Sequence, residues 1–378
     1  MTRVIVGTSG TSGWPHFGGS IWVRLQYLLG LERLGVDSFW VDRLPMIDPG
    51  ENLHGLAYLM KRFGDVARDF GFEDRYCVVY NDGEQHFGMD ERQLSRLVDS
   101  TDLLLNISGH LPAASSMRAI PRTAYVDVDP GFTQQWARQV DLGLDRHDVL
   151  FTTGQNVGRP GSRVDTAGFT WHPLLPPVVL DQWPQMTDPS LSRISTVADW
   201  RGSQYVTVDG ECLGGKREEL LALLDLPARC GRPFDLALLV GPEDHEDLGK
   251  LVRHGWRIHD PYAYAGDPHS YREFIQRSRS EFSVAKRGYV RTRSGWVSDR
   301  TACYLASGKP ANDQSTGFED SLPVGQGLLT FTGLDDAVAA ITTVEEHYTT
   351  HATAARSLAE KHFGSDVVLG SMLGRVGL

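Results

Sequence analysis

What this 378-residue chain lacks narrows its function before any motif does. It has only four cysteines, Cys77, Cys212, Cys230 and Cys303, and no C-x-x-C pair. That disfavours a disulfide framework, a redox dithiol and a cysteine-built zinc site. Three of the four sit in apolar or helical contexts and read as buried free thiols, as expected in a reducing cytoplasm. The histidines are scattered without an H-x-x-x-H spacing, so no metal is assigned. No apolar run approaches the roughly 18 residues of a membrane-spanning helix. Met1 leads straight into the strand-like RVIVG rather than a signal-peptide core, so a cytoplasmic protein is expected. Basic charge is in the minority: the formal net charge is −11, which argues against a basic surface for nucleic acid. Internal repeats and low-complexity tracts are absent. So is a dinucleotide fingerprint, because the glycine-rich first loop, TSGTSGWPHFGGS (8–20), contains no clean G-x-G-x-x-G.

What is present is the composition of a globular protein, 41% apolar and 22% charged, in a chain long enough for two domains. Short apolar runs at 4–7, 38–41, 76–80, 103–107, 122–126 and 149–152 read as strands. Segments 20–34, 53–70 and 91–98 carry helical spacing. This alternation predicts an α/β fold with a parallel sheet covered on both faces and ligands beyond the carboxyl ends of its strands. Residues 173–189 hold five prolines and no period, and read as a linker. Alternation then restarts, with strands expected at 194–199, 204–208, 236–240, 257–259 and 281–284. Helices are expected at 216–224, 246–254, 270–277 and 335–347, and a long amphipathic helix opens the last segment, 350–377.

The most informative stretch is 281–333. A strand leads into a polar loop with Arg287, Arg291 and Arg293, and then into a helix opened by Ser298, Asp299 and Arg300. After a Gly308–Pro310 break, a strand delivers Asp313 and Gln314 just before Gly317. Unpaired N–H groups and the positive end of a helix suit a phosphate, and an acid beside an amide suits sugar hydroxyls. Plainer readings stand beside these: Ser298 as an ordinary N-cap, Arg300 paired with a nearby carboxylate, and Asp313 in an Asx turn. In the first half, His16 and His110 lie in loops after strands, and an imidazole near pKa ~6.5 suits a general base. Asp127 and Asp129 form a D-x-D that either meets a ligand or caps the Pro130–Gly131 turn. Gly18 and the other glycines of the first loop permit close approach to a ligand. Trp14 and Trp296, both in polar loops, are the tryptophans expected in a cleft.

The stretch SGWVSDRTACYLASGKPANDQSTGF (294–318) resembles the donor-binding segment of GT-B glycosyltransferases, and AYVDVDPGFTQ (124–134) is a second matching piece. The similarity is to a bacterial family-1-like or spore-coat-like group, some of it tied to natural-product (antibiotic) biosynthesis. It implies two Rossmann-like domains facing across a cleft: an acceptor-binding domain at 1–175 and a nucleotide-sugar domain at 190–348. A C-terminal helix, 349–378, would pack back toward the first domain. The resemblance implies a donor site of Arg201, Lys216, Ser298, Asp299, Arg300, Asp313, Gln314 and Gly317, with Lys286 and Arg287 as competing cations. It implies His16 as the catalytic base of an inverting reaction, and Trp14, Gly18, His110, Asp127 and Asp129 as acceptor contacts. A metal-bound D-x-D belongs to the GT-A fold, so no metal is expected. The nucleotide-diphosphate sugar would be a co-substrate, with no other cofactor. Expected partners are that sugar and a small-molecule acceptor, without nucleic acid, and a homo-oligomer is left open. Rival readings are an accessory sugar-nucleotide-binding chain, an epimerase or phosphorylase on the same fold, and a dehydrogenase using Asp42.

Overall fold

The computed structural model describes residues 1–14, 16–47, 55–109, 111, 117–186, 188, 190–202 and 205–378. Two sheets organise them. The first half supplies β1 (Arg3–Ser9), β2 (Asp37–Leu44), β3 (Tyr76–Tyr80), β4 (Gln85–Gly88), β5 (Leu103–Ile107), β6 (Thr123–Asp127), β7 (Val149–Thr152) and β8 (His172–Pro173). Their order is β4-β3-β2-β1-β5-β6-β7-β8, parallel except for β4. The second half supplies β9 (Ile194–Asp199), β10 (Val206–Val208), β11 (Glu211–Leu213), β12 (Phe234–Leu239), β13 (Trp256–His259), β14 (Ser280–Ser283), β15 (Ala311–Gln314) and β16 (Leu328–Phe331). All but β10 and β11 form a parallel sheet, β13-β12-β9-β14-β15-β16. The central strands of the first sheet carry apolar runs. Val4, Ile5, Val6, Leu103, Leu104 and Leu105 are all buried, as a sheet covered on both faces requires. Each sheet reverses direction once, between β1 and β5 and between β9 and β14. Such a reversal leaves a crevice at the strands' carboxyl ends.

Four sequence expectations are corrected. The strand read at 204–208 is β10, and it pairs only with β11, as an antiparallel hairpin outside the sheet. Its turn is Asp209–Gly210, both at positive φ, the Asp-Gly pairing that two-residue hairpins favour. The polar loop at 287–293 is a helix, Arg287–Thr292, closed by Arg293 in the left-handed region. The thiols are not uniformly covered: Cys77 and Cys303 are buried, whereas Cys212 is exposed on β11.

The expected final helix is interrupted. Tyr348–Leu358 runs into a π-turn, Ala359–Phe363, and a new helix, Ser365–Val376, begins after Gly364. The cause lies in the proline-rich segment, which is not a loose tether. Val178 donates its N–H to Phe363 O at 2.7 Å and accepts from Ser365 N at 2.9 Å, pulling Gly364 out of helical geometry. The last helix then packs on the first helix, Gly18–Arg33. There a Cβ on Gly30 would stand 2.6 Å from Leu369 Cδ1 and 2.7 Å from Ser365 Cβ.

One buried ion pair positions the helix Asp299–Ala306. Arg300 donates to Glu281 Oε1 on β14, to Val197 O on β9 and to Ser283 Oγ on β14, each at 2.6 Å. Thr301 adds a 2.8 Å bond to Asp313 Oδ2 on β15. Burial pushes the Asp313 carboxyl well above the usual carboxylate range, and neighbouring Glu281 adds to the shift.

Two outcomes test this packing. Gly30→Val is expected to cost about 1–3 kcal/mol by overpacking the helix contact, read as a lower thermal midpoint. Arg300→Met strands Glu281 and is expected to cost about 3–5 kcal/mol in chemical denaturation. The penalty should grow as pH rises, because a stranded carboxyl is tolerated only when protonated. A loss below about 1 kcal/mol would show that the pair does not hold the helix.

Candidate functional site

The carboxyl ends of the two sheets face one another across a cleft containing a cavity of about 390 Å³. Arg24, Tyr27 and Asp129 line it from the first half. From the second half come Asp199, Arg201, Lys216, Lys286, Tyr289, Trp296, Ser298 and Asp299. Neighbouring cavities of about 310 and 630 Å³ share the Asp199 wall.

One end of the cavity is a helix N-terminus. Ser298 caps it by accepting from Arg300 N at 3.2 Å, and Asp299 opens the first turn. Burial raises the Asp299 carboxyl above its ordinary value against the pull of Arg300. Lys216 stands opposite, 8% exposed, its ammonium 6.0 Å from the centroid of the Trp296 ring. Burial, followed by the charges of Arg300 and Lys286, pushes this ammonium down to about 7. Gly215 makes the tight approach possible, since a Cβ there would lie 1.7 Å from Arg201 O.

Of the other cations, Lys286 and Arg201 are held by carboxylates, whereas Arg24 donates to Ser20 O and Ser20 Oγ at 3.0 Å. Lys286 donates to Asp129 Oδ1 at 2.6 Å, and Tyr289 bonds the same oxygen. Burial alone would raise the Asp129 carboxyl, but Lys286 and Tyr289 override it and hold it below its ordinary value. Arg201 makes a bidentate pair with Asp244, at 2.5 and 2.6 Å. Arg24 was not singled out in the sequence, although it falls on the same side of its helix as Ile21, Leu25 and Leu28. A charge among core positions is the signal that marks it.

The predicted site residues thus divide. Arg201, Lys216, Ser298, Asp299, Asp129 and Trp296 meet at the main cavity, and the competing candidate Lys286 joins them. Arg300 forms part of the wall, but its guanidinium is engaged by Glu281, Val197 and Ser283. Asp313 and Gln314 line none of the three cavities. Gln314 accepts from Ala285 N at 3.1 Å and donates to Glu219 Oε2 at 2.5 Å. Gly317 is packed on Asn156 of the first half, whose side-chain amide donates to Gly317 O at 2.8 Å. Arg287, Arg291 and Arg293 do not gather on the main cavity; they pair with Glu219 and Glu211, with Glu211, and with Asp320.

In the first half, His16 and Gly18 line the 310 Å³ cavity, and the His16 ring stacks on Tyr58 at 5.8 Å. Gly18 also answers a packing need, because a Cβ there would stand 2.3 Å from Asp267 O of the second half. Trp14 lines the 630 Å³ cavity. Asp127 takes no place in any of these cavities. It is fully buried and accepts from Thr133, Gln134, Thr152 and the Asp129 N–H, which makes it the anchor of the 127–134 turn. Asp42, the acid a dehydrogenase would need, is likewise buried and consumed by Thr8, Thr11 and Ser12. His110 lies outside the described residues.

No family model matches this chain, and no curated protein matches its sequence. Solved structures do match over its whole length. An alpha-glucosyltransferase in complex with UDP superposes with a TM-score of 0.63 at 11% identity, covering 100% of both chains. An alpha-glucosyltransferase in complex with UDP-glucose and DNA containing an abasic site gives 0.61 at 12%, covering 100% of this chain and 99% of the other. HepE of Anabaena in complex with UDP-glucose gives 0.62 at 12%, again over 100% and 99%. With its two facing parallel sheets, the chain therefore has the GT-B glycosyltransferase fold.

Proposed function

We propose that this chain is a glycosyltransferase, moving a hexosyl group from a nucleotide-diphosphate sugar to a hydroxyl of a small-molecule acceptor without a metal ion. Lys216 carries the reading. Its ammonium is nearly buried, faces the cavity across from the helix N-terminus, and rests on an indole ring rather than a carboxylate. An incoming diphosphate supplies the missing counter-charge. The acceptor oxygen bonds to the anomeric carbon as the bond from that carbon to the phosphate oxygen breaks, and the electron pair leaves with the diphosphate. Lys216, Arg201 and the helix N-terminus stabilise that developing charge. In this scheme His16, in the adjoining cavity, takes the acceptor proton.

A small acceptor fits the overall charge. One structural neighbour was solved on DNA, but a surface with net charge −11 repels a polyanion. The resemblance to a natural-product group points the same way. Among the described residues no helix is long and apolar enough to cross a membrane, and a cytoplasmic setting is part of the proposal.

Titration calorimetry with UDP-glucose, whose diphosphate does not titrate near neutrality, tests the donor site. Free Lys216 loses its proton near pH 7, and a bound diphosphate raises it toward the ordinary lysine value. Affinity should therefore be flat below that pH and fall by about tenfold per unit above it. Lys216→Met should abolish the slope; a slope that survives, or no binding at all, sinks the reading. For the base, His16→Asn should lower kcat by about 10²-fold or more with donor affinity unchanged. A fall below about tenfold would return the proton to the departing phosphate, as in a retaining transfer.

A further inference from the structure

The 630 Å³ cavity has an aromatic wall built from both halves of the chain. Trp14 and Phe17 come from the first loop, with ring centroids 5.8 Å apart, and Tyr262 of the second half approaches Phe17 at 5.6 Å. Trp14 is 53% exposed and Tyr262 48%, so two large rings offer their surfaces to the cleft instead of the core. An indole and a phenol present flat apolar area at little conformational cost, which suits stacking against another ring.

Thr11 lines this cavity and is 4% exposed. Its hydroxyl oxygen, just beneath the cavity wall, has no hydrogen-bond partner among the described residues. Its position is fixed, since the Thr11 N–H is bonded to Asp42 and the following Ser12 holds the same carboxylate. A buried hydroxyl left unpaired is unfavourable, a cost that a ligand's polar atom reaching it would remove. Arg24 and Asp199 line both this cavity and the diphosphate cavity, so the two adjoin.

We propose that this cavity holds the acceptor, and that the acceptor is a flat, hydroxylated aromatic compound. Its ring lies on Trp14 and Tyr262, one polar substituent meets the Thr11 hydroxyl, and the reacting hydroxyl points past Arg24 and Asp199 toward the donor. This assignment rests on the glycosyltransferase reading for its chemistry, but its binding geometry stands apart from it. Because Tyr262 belongs to the second half, the acceptor site is complete only with the two halves together.

The probe is 4-methylumbelliferone, a hydroxycoumarin, titrated into the full chain with UDP present and followed by its fluorescence. UDP-glucose affinity is measured separately by calorimetry. Saturable binding is expected, weakened by about tenfold in Trp14→Ala and in Tyr262→Ala. Thr11→Val, which keeps the shape and removes the hydroxyl, should weaken it by about fivefold. In all three variants UDP-glucose affinity should stay within about twofold of the parent, as expected for separate sites. Product should appear as the umbelliferyl glycoside. Absent or non-saturable probe binding, or binding that none of the three substitutions changes, overturns the acceptor assignment when UDP-glucose still binds. Failure of UDP-glucose to bind the parent chain overturns the transferase reading instead.

Discussion

The site depends on a nearly buried guanidinium. Arg300 joins the helix Asp299–Ala306 to two adjacent strands through Glu281, Ser283 and the Val197 carbonyl. Together with the Thr301–Asp313 bond, it turns the capped N-terminus at Ser298 toward the crevice between β9 and β14. Burying such a pair is costly, and its charge attraction only partly offsets the loss of water. What the arrangement secures is direction: one helix end, one loop and two strand ends aimed at a common volume. Lys216 feels the same network, since the nearby Arg300 charge helps depress its proton affinity.

Around this centre, positive charge is plentiful but mostly engaged. Arg201 is matched to Asp244, Lys286 to Asp129, and Arg287 to Glu219 and Glu211. Lys216 differs in resting on Trp296. A cleft organised in this way discriminates by position rather than by total charge, in keeping with a chain whose overall balance is acidic.

The parallel sheets were legible because strands such as RVIVG and LLLNI carry the apolar runs Val4–Val6 and Leu103–Leu105, and the helices between them keep a clear period. Ser298 was legible as a type, a capping residue before a helix, while Lys216 came only through the resemblance. Local pattern could not show which side of β15 would be covered. Asp313 and Gln314 look like sugar ligands in sequence; in the structure Asp313 accepts from Thr301, and Gln314 is bonded to Ala285 and Glu219. Nor could it show that Asp127 and Asp129, two residues apart, would part company. One secures its own turn, and the other crosses to Lys286 in the opposite half. Thr11 and Tyr262 carried no local signal at all, because their meeting depends on how the halves face each other.

The bond pair at Val178 has a mechanical consequence. The chain passes from one half to the other through the 173–194 segment and returns at Gly364 to lay its last helix on Gly18–Arg33. These two passes are hydrogen-bonded to each other. The halves also meet elsewhere, since Lys286 pairs with Asp129, Asn156 with Gly317 and Phe17 with Tyr262. Parting them therefore means breaking each of these contacts as well as the bond pair at Val178.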